Sequence, residues 1–435
     1  MPQKPRRSRT LILISAILVA GALYGASSLV SELTDSVKSS DDSAAPIERD
    51  CVAPIAFPGK LPSVVKIDAQ AQAFAMDLVG RHPSVLTLAV GIDLRTARPL
   101  FLVAREGENA PLASLAQTTS PKYPMASLAK IMTSAAALAS GMDPFASVAF
   151  RGNAHTLYKS QIKNAGGTEV SLAKAFALSI NPVFGTLGAK TLGRETILRW
   201  ADSMGFNRTT GLGNGIPAGR MIAPADTFNL AEVSSGFVRT TFLSPVHAAM
   251  IVRKFAHDGV LRPPAWDPPT IDSSCQDSDI PEKPPYTGLS ELFRLTVDSG
   301  TARGGFRTAW PVDRREGFEI GGKTGSLDGT DPVGHYEWFA GYARIEGEPD
   351  SGIVVAVMTV NAGRQVLNAS WTAASLLHWW ARHSGEIATK SVEATSTREL
   401  DMARTLYTDD DKDALAERPW HRPWKKKRVR KRRRH

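Results

Sequence analysis

The stretch Tyr123-Pro-Met-Ala-Ser-Leu-Ala-Lys-Ile-Met-Thr-Ser-Ala-Ala-Ala-Leu138 decides how the rest of the chain is read. It sets Ser127 and Lys130 three residues apart at the start of an alanine-rich run, and residues so spaced share one face of a helix. Pro124 disfavours helix in the residue before it and fits a first turn, so the pattern predicts a helix beginning close to Ser127. Unpaired backbone N–H groups and the positive end of the helix dipole lie at such a start. Serine is a poor nucleophile at neutral pH, and a lysine held near other cations or out of water loses enough pKa to act as its base. The Ser-x-x-Lys pattern alone is weak evidence, because any serine and lysine on one helix face satisfy it.

A second copy, Ser171-Leu-Ala-Lys174, reads better as a helix start, with Ser171 capping the run Leu172 to Leu178 after the loop Asn164-Ala-Gly-Gly167. Ser127 differs from that copy in its company: Ser179-Ile-Asn181 and then Lys323-Thr-Gly325 follow it along the chain. Three motifs in this order are the signature of the penicillin-binding and serine β-lactamase group. From about Val85 to Asn361 the sequence resembles a penicillin-binding protein transpeptidase domain. Ala175 to Gly188 is similar to the family's second-motif helix, and the segment Leu198-Arg-Trp-Ala-Asp-Ser-Met-Gly-Phe206 to the one that follows. Leu243 to Met250, His257 to Pro264, Ser299-Gly-Thr-Ala302 and Trp338 to Ala343 extend the likeness. The chain departs from the family where the first motif lacks a Gly-Ser-Thr opening, and where Ser326 stands in place of threonine after Lys323-Thr-Gly325.

The resemblance implies an α/β fold of the α+β type, an antiparallel sheet flanked by helices with an all-helical lobe. It also implies a D,D-transpeptidase acting through a serine acyl-enzyme on the D-Ala-D-Ala stem peptides of peptidoglycan, with β-lactams as covalent inhibitors. In these terms Ser127 is the nucleophile and Lys130 its base. Ser179 relays a proton toward the departing nitrogen, and Asn181 binds the substrate amide and holds Lys130. Lys323 keeps Lys130 deprotonated by repulsion, and with Thr324 it receives the substrate carboxylate. Gly325 leaves room for substrate along the strand, while the backbone N–H groups of Ser326 and Ser127 form the oxyanion hole.

D,D-carboxypeptidase action, with water in place of the amine acceptor, fits the same residues. A β-lactamase is the enzymatic alternative. The class A Glu-x-x-x-Asn pattern is missing from Gly185 to Gly236, and the class D second motif has valine where this chain has Asn181. An inactive β-lactam-binding scaffold or a sensor is the non-enzymatic alternative; a sensor needs a signalling domain, and nine residues precede the apolar run.

The formal net charge of +9 in 435 residues suggests a basic surface, yet Lys425 to Arg434 alone carries nine Lys and Arg, which leaves the body neutral. No nucleic-acid partner is therefore implied for the domain. Residues 1–9 form a basic cytoplasmic segment, and the uncharged run 10–30 is long enough for a single-pass anchor in the inner (cytoplasmic) membrane. Ala20-Gly-Ala22 also resembles a signal-peptidase site, so cleavage stays open. Either way, the catalytic domain is expected on the periplasmic, extracytoplasmic side.

Residues 31–65 read as a linker, 66–385 as the transpeptidase domain, and 386–435 as a disordered tail ending in a basic cluster. Trp420 and Trp424 beside that cluster suit anionic envelope polymers or lipids, with Lys425 to Arg434 as the contact. Cys51 and Cys275 allow one disulfide outside the cytoplasm or two free thiols. His247 and His335 have no partners at metal-ligand spacing, and neither metal nor cofactor is implied. Apolar patterning predicts a helix from Ile67 to Leu78 and a hairpin of Val85 to Ile92 with Pro99 to Val103. Three further strands are expected at Phe318 to Lys323, Trp338 to Ala343 and Ile353 to Asn361, with a closing helix over Leu367 to Ala381 and a loop over Asp267 to Pro285.

Overall fold

A computed structural model describes residues 61, 65–163, 166–266, 288–363, 367–389 and 394–395. The expected anchor, most of the linker, both cysteines, the 267–285 loop and the basic cluster lie outside the described residues. Among the described residues no helix is long and apolar enough to cross a membrane.

Six strands form the central sheet: β1 (Leu86–Asp93), β2 (Pro99–Glu106), β3 (Leu112–Ala113), β4 (Phe318–Thr330), β5 (Val333–Ile345) and β6 (Gly352–Asn361). Their spatial order is β4-β5-β6-β1-β2-β3, antiparallel throughout. The expected strands are thus present, and those around Lys323 and Trp338 are longer than their apolar cores, continuing into a hairpin that projects past the sheet. Sequence runs such as Gly352–Asn361, buried at every position, lack polar alternation because both faces of the sheet are covered. Alternate residues still divide between two cores. Val354, Ala356, Met358 and Val360 join Leu88 and Val90 beneath the helical lobe. Ile353, Val355 and Val357 face the opposite layer with Phe74, Phe306 and Trp379.

That opposite layer is built from the helices Ala69–Gly80, Arg303–Ala309 and Ala369–Thr389. Asp68 caps the first, accepting from the Ala71 amide at 2.7 Å, and buried Gln72 exchanges hydrogen bonds with both backbone groups of Leu102 on β2. At the other end Arg105 donates to the Val79 and Gly80 carbonyls, so a guanidinium from β2 satisfies groups that the helix leaves without partners. The closing helix runs to Thr389, past its expected end at Ala381 and past the domain boundary expected at 385, and Ala394–Thr395 pairs with Val65–Lys66.

The lobe occupies the chain between β3 and β4. It is mainly helical rather than all-helical as expected. Ser147–Phe150 pairs with Thr168–Ser171, and Tyr123–Pro124 pairs with Thr241–Leu243, which in turn pairs with Arg220–Met221. Strands of two to four residues are too short to display a period-two pattern, which is why apolar spacing does not indicate them. Ser171 does cap its helix, accepting from the Lys174 amide at 3.1 Å.

One buried tie between lobe and sheet is the Trp338 indole on β5, which donates to the Pro124 carbonyl at 3.0 Å, just ahead of Ser127. Trp338→Phe strands that carbonyl, at a cost of about 1–3 kcal/mol, and leaves a cavity where the second ring stood, so the total loss should be at least that large. Urea unfolding of the purified domain checks this, and an unchanged midpoint would show that the tie contributes nothing.

Candidate active site

Three breaks in regular structure bring the motif residues together. Ser127 lies in a short 3₁₀ turn, Ala126–Leu128, that leads into the helix Ala129–Ala139, as the spacing predicts. The expected continuous second-motif helix is interrupted: Leu172–Ala177 ends, Ser179 takes a left-handed backbone (φ 56), and Asn181–Thr186 begins a new helix with Pro182 in its first turn. Lys323, Thr324 and Gly325 lie on β4, the edge strand. The Lys130 ammonium donates to Ser127 Oγ at 2.8 Å, to Asn181 Oδ1 at 2.7 Å and to the Ser235 carbonyl. The Lys323 ammonium donates to Ser179 Oγ at 3.1 Å and to the Thr324 carbonyl at 2.9 Å. Both lysines are wholly buried, each over an aromatic face: Lys130 lies 5.7 Å from the Phe184 ring centre and Lys323 5.3 Å from that of Phe176.

Around these groups is a cleft of about 260 Å³, lined by Ser127, Ser179, Asn181, Thr324, Gly325 and Ser326 among others. All eight residues singled out in the sequence therefore meet here, six on the cleft wall and the two lysines behind it. The peptide joining Ala126 to Ser127 is clamped between two glycines. A Cβ at Gly325 would stand 3.3 Å from the Ser127 nitrogen, and one at Gly236 would stand 1.9 Å from the Ala126 oxygen. No side chain fits at Gly236, and one at Gly325 would crowd the serine amide.

The cleft also holds residues without a role in the sequence reading. Thr301 shares a hydrogen bond with the Thr324 hydroxyl, and its segment, Ser299-Gly-Thr-Ala302, was visible as part of the family pattern. His155 and Ser370 line the cleft with no local pattern to mark them. Ser235 acts through its carbonyl, which no residue-type pattern reveals.

Burial, with the charge of Lys323 as the second cause, holds the Lys130 ammonium well below the ordinary lysine range. Of the two causes expected from the sequence, burial is thus the larger and repulsion by Lys323 the lesser. Burial brings Lys323 down to about 7. An amine whose charged form is disfavoured, set beside a serine hydroxyl and near a second depressed amine, can take a proton from the serine.

Comparisons with known proteins identify the family and the fold. The penicillin binding protein transpeptidase domain matches residues 88–375, and the chain belongs to that family. Its fold is similar to that of a peptidoglycan glycosyltransferase from Burkholderia ambifaria, with a TM-score of 0.57 and 19% identity over 74% of this chain and 98% of that one. It is also similar to penicillin-binding protein A from M. tuberculosis in an acyl-enzyme complex, with a TM-score of 0.53 and 20% identity over 75% and 79% of the two chains. Pseudomonas aeruginosa PBP2 in complex with WCK 5153 gives a TM-score of 0.53 at 20% identity, over 74% and 75%. Comparison with curated protein sequences gives no match.

The depressed lysines make stability depend on pH. In the unfolded chain lysine stays protonated to about pH 10.4, whereas folded Lys323 loses its proton near 7 and Lys130 well below the ordinary range. The unfolded state then binds more protons, so stability should rise with pH from about 7 toward 10, by at most about 1.4 kcal/mol per unit for each lysine. Lys323→Met should lower that slope by up to about 1.4 kcal/mol per unit between pH 7.5 and 9.5. Chemical unfolding at several pH values measures it, and an unaltered slope would mean that Lys323 binds its proton equally in both states.

Proposed function

We propose that this chain is a peptidoglycan D,D-transpeptidase that works through an acyl-enzyme on Ser127. The observation that carries the reading is the Lys130 ammonium, bonded at once to Ser127 Oγ and Asn181 Oδ1 with the Lys323–Ser179 pair beside it on one cleft. Neutral Lys130 takes the Ser127 proton as Oγ attacks the carbonyl of the penultimate D-alanine. The carbonyl oxygen gains charge and is received by the Ser127 and Ser326 amides, a contribution of about 2.7–4 kcal/mol per donor in such sites. The proton then travels from Lys130 through the Ser179 hydroxyl to the departing D-alanine nitrogen, the C–N bond breaks, and an ester to Ser127 remains. An amine of a neighbouring stem peptide attacks that ester, giving up a proton that returns to Ser127 as the C–O bond breaks. Lys323 and the Thr324 hydroxyl suit the terminal carboxylate, and the open edge of β4 lets the donor peptide lie alongside as a further strand.

A β-lactam offers a strained equivalent of the same carbonyl, and its leaving nitrogen stays tethered, so the adduct should persist. Intact-mass spectrometry of the protein treated with penicillin should show one addition, absent in Ser127→Ala and Lys130→Ala and unchanged in Ser171→Ala. An adduct that survives Ser127→Ala would end the assignment, and rapid return to the unmodified mass would favour a β-lactamase.

We place this activity on the extracytoplasmic side, attached through residues 10–30; the support is the basic cluster Lys4 to Arg9 ahead of the uncharged run. A periplasm-dependent reporter fused after Pro62 should be active, and activity confined to a cytoplasm-dependent reporter would reverse the orientation.

A further inference from the structure

The helix Thr227–Ser235 supplies no residue to the three motifs, yet it ends against the catalytic group. An α-helix leaves its last four carbonyls without partners of its own. In this helix all four are satisfied. Gly236, left-handed at φ 71, closes it with an N–H directed to the Glu232 and Val233 carbonyls, and the Phe237 amide donates to Glu232 at 2.9 Å. The remaining two carbonyls are taken by side chains of one neighbouring helix. Thr133 Oγ1 donates to Ser234 at 2.7 Å, and Lys130 Nζ donates to Ser235. Thr133 and Lys130 stand one turn apart on Ala129–Ala139, so adjacent donors meet adjacent acceptors and fix the register between the helices.

We propose that the carboxy-terminal end of Thr227–Ser235 is a positioning element for acylation, whose Ser235 carbonyl and negative dipole end hold the proton that Lys130 takes from Ser127. The proposal rests on the reading of Ser127 and Lys130 given above. Lys323 is the charged group that bears on Lys130; Ser127, Asn181, the Phe184 ring and the Ser235 carbonyl complete its surroundings. Burial and Lys323 both oppose an ammonium at this point, so a lysine with those influences alone would be too weak a base to hold the serine proton. Two of its acceptors change during the reaction: Ser127 Oγ becomes an ester oxygen, and the Asn181 amide faces the substrate. The Ser235 carbonyl is a backbone group that takes no part in bond making or breaking, so it persists unchanged through both half-reactions. A helix C-terminus favours a cation, which gives the carbonyl further effect.

Thr133→Val tests this without touching Ser127, Lys130 or Asn181, because it removes the bond that pins the helix end while keeping the side-chain shape. The second-order rate of penicillin acylation is followed from pH 5 to 9. The acid limb of the profile should move to lower pH by about half a unit, and the plateau should fall several-fold as the base weakens. Thr133→Ser should restore both. Should Thr133→Val not fold, Thr133→Ala serves in its place against the same Thr133→Ser control. A variant that is less stable but keeps the wild-type limb and plateau would overturn the proposal, leaving Thr133 a packing residue. The underlying reading is checked separately by loss of the adduct in Ser127→Ala, so the two can fail independently.

Discussion

Two lysine ammonium groups without solvent contact, Lys130 and Lys323, set the terms for everything around them. An isolated ion moved out of water costs several kcal/mol even after relaxation. The fold answers with acceptors, three of them from distant parts of the chain: Asn181 Oδ1 and the Ser235 carbonyl for Lys130, and the Ser179 hydroxyl for Lys323, which also bonds the carbonyl of its neighbour Thr324. Each acceptor lies where a regular element starts, stops or runs free at an edge, because those are the places where backbone and short polar side chains remain available. The acceptors do not fully offset the cost, and the remainder appears as lowered proton affinity. That remainder is the useful property, since a lysine satisfied as completely as it is in water would never take a proton from serine.

Much of this was legible in the sequence, for definite reasons. Strong apolar runs such as Leu86–Asp93 and Gly352–Asn361 belong to strands whose both faces are buried, so composition alone marks them. Ser127, Ser179, Asn181 and Lys323 act through side chains, and their types can be read one by one. Apart from His155 and Ser370 on the cleft wall, what escaped was carried by backbone. The Ser235 carbonyl is chemically the same in every residue, the left-handed turn at Ser179 interrupts a run of good helix formers, and the two-residue strands Tyr123–Pro124 and Arg220–Met221 show no alternation. Which of burial and repulsion weighs more on Lys130 was not legible, because adjacency can be inferred from motifs, whereas depth of burial is a property of the assembled domain.

The same division explains where the strain lies. Ala126 and Ser179 both adopt positive φ, at 49° and 56°, and a non-glycine residue held there costs on the order of 1–3 kcal/mol. They sit beside Ser127, the proposed nucleophile, and in the second motif. Such conformations survive only where the surroundings over-determine them. For Ala126 the surroundings are visible: Gly236 presses on its carbonyl, Gly325 lies against the following amide, and the Met125 amide donates to the Thr241 carbonyl at 2.9 Å. Trp338 holds the Pro124 carbonyl from the sheet side. For Ser179 the amide is bonded to Phe176, and its hydroxyl is held by Lys323. The left-handed Ala126 ahead of Ser127 is thus held from the helical lobe by Gly236 and from β4 by Gly325, so the packing of the lobe on the sheet fixes how the chain enters the helix that carries Lys130.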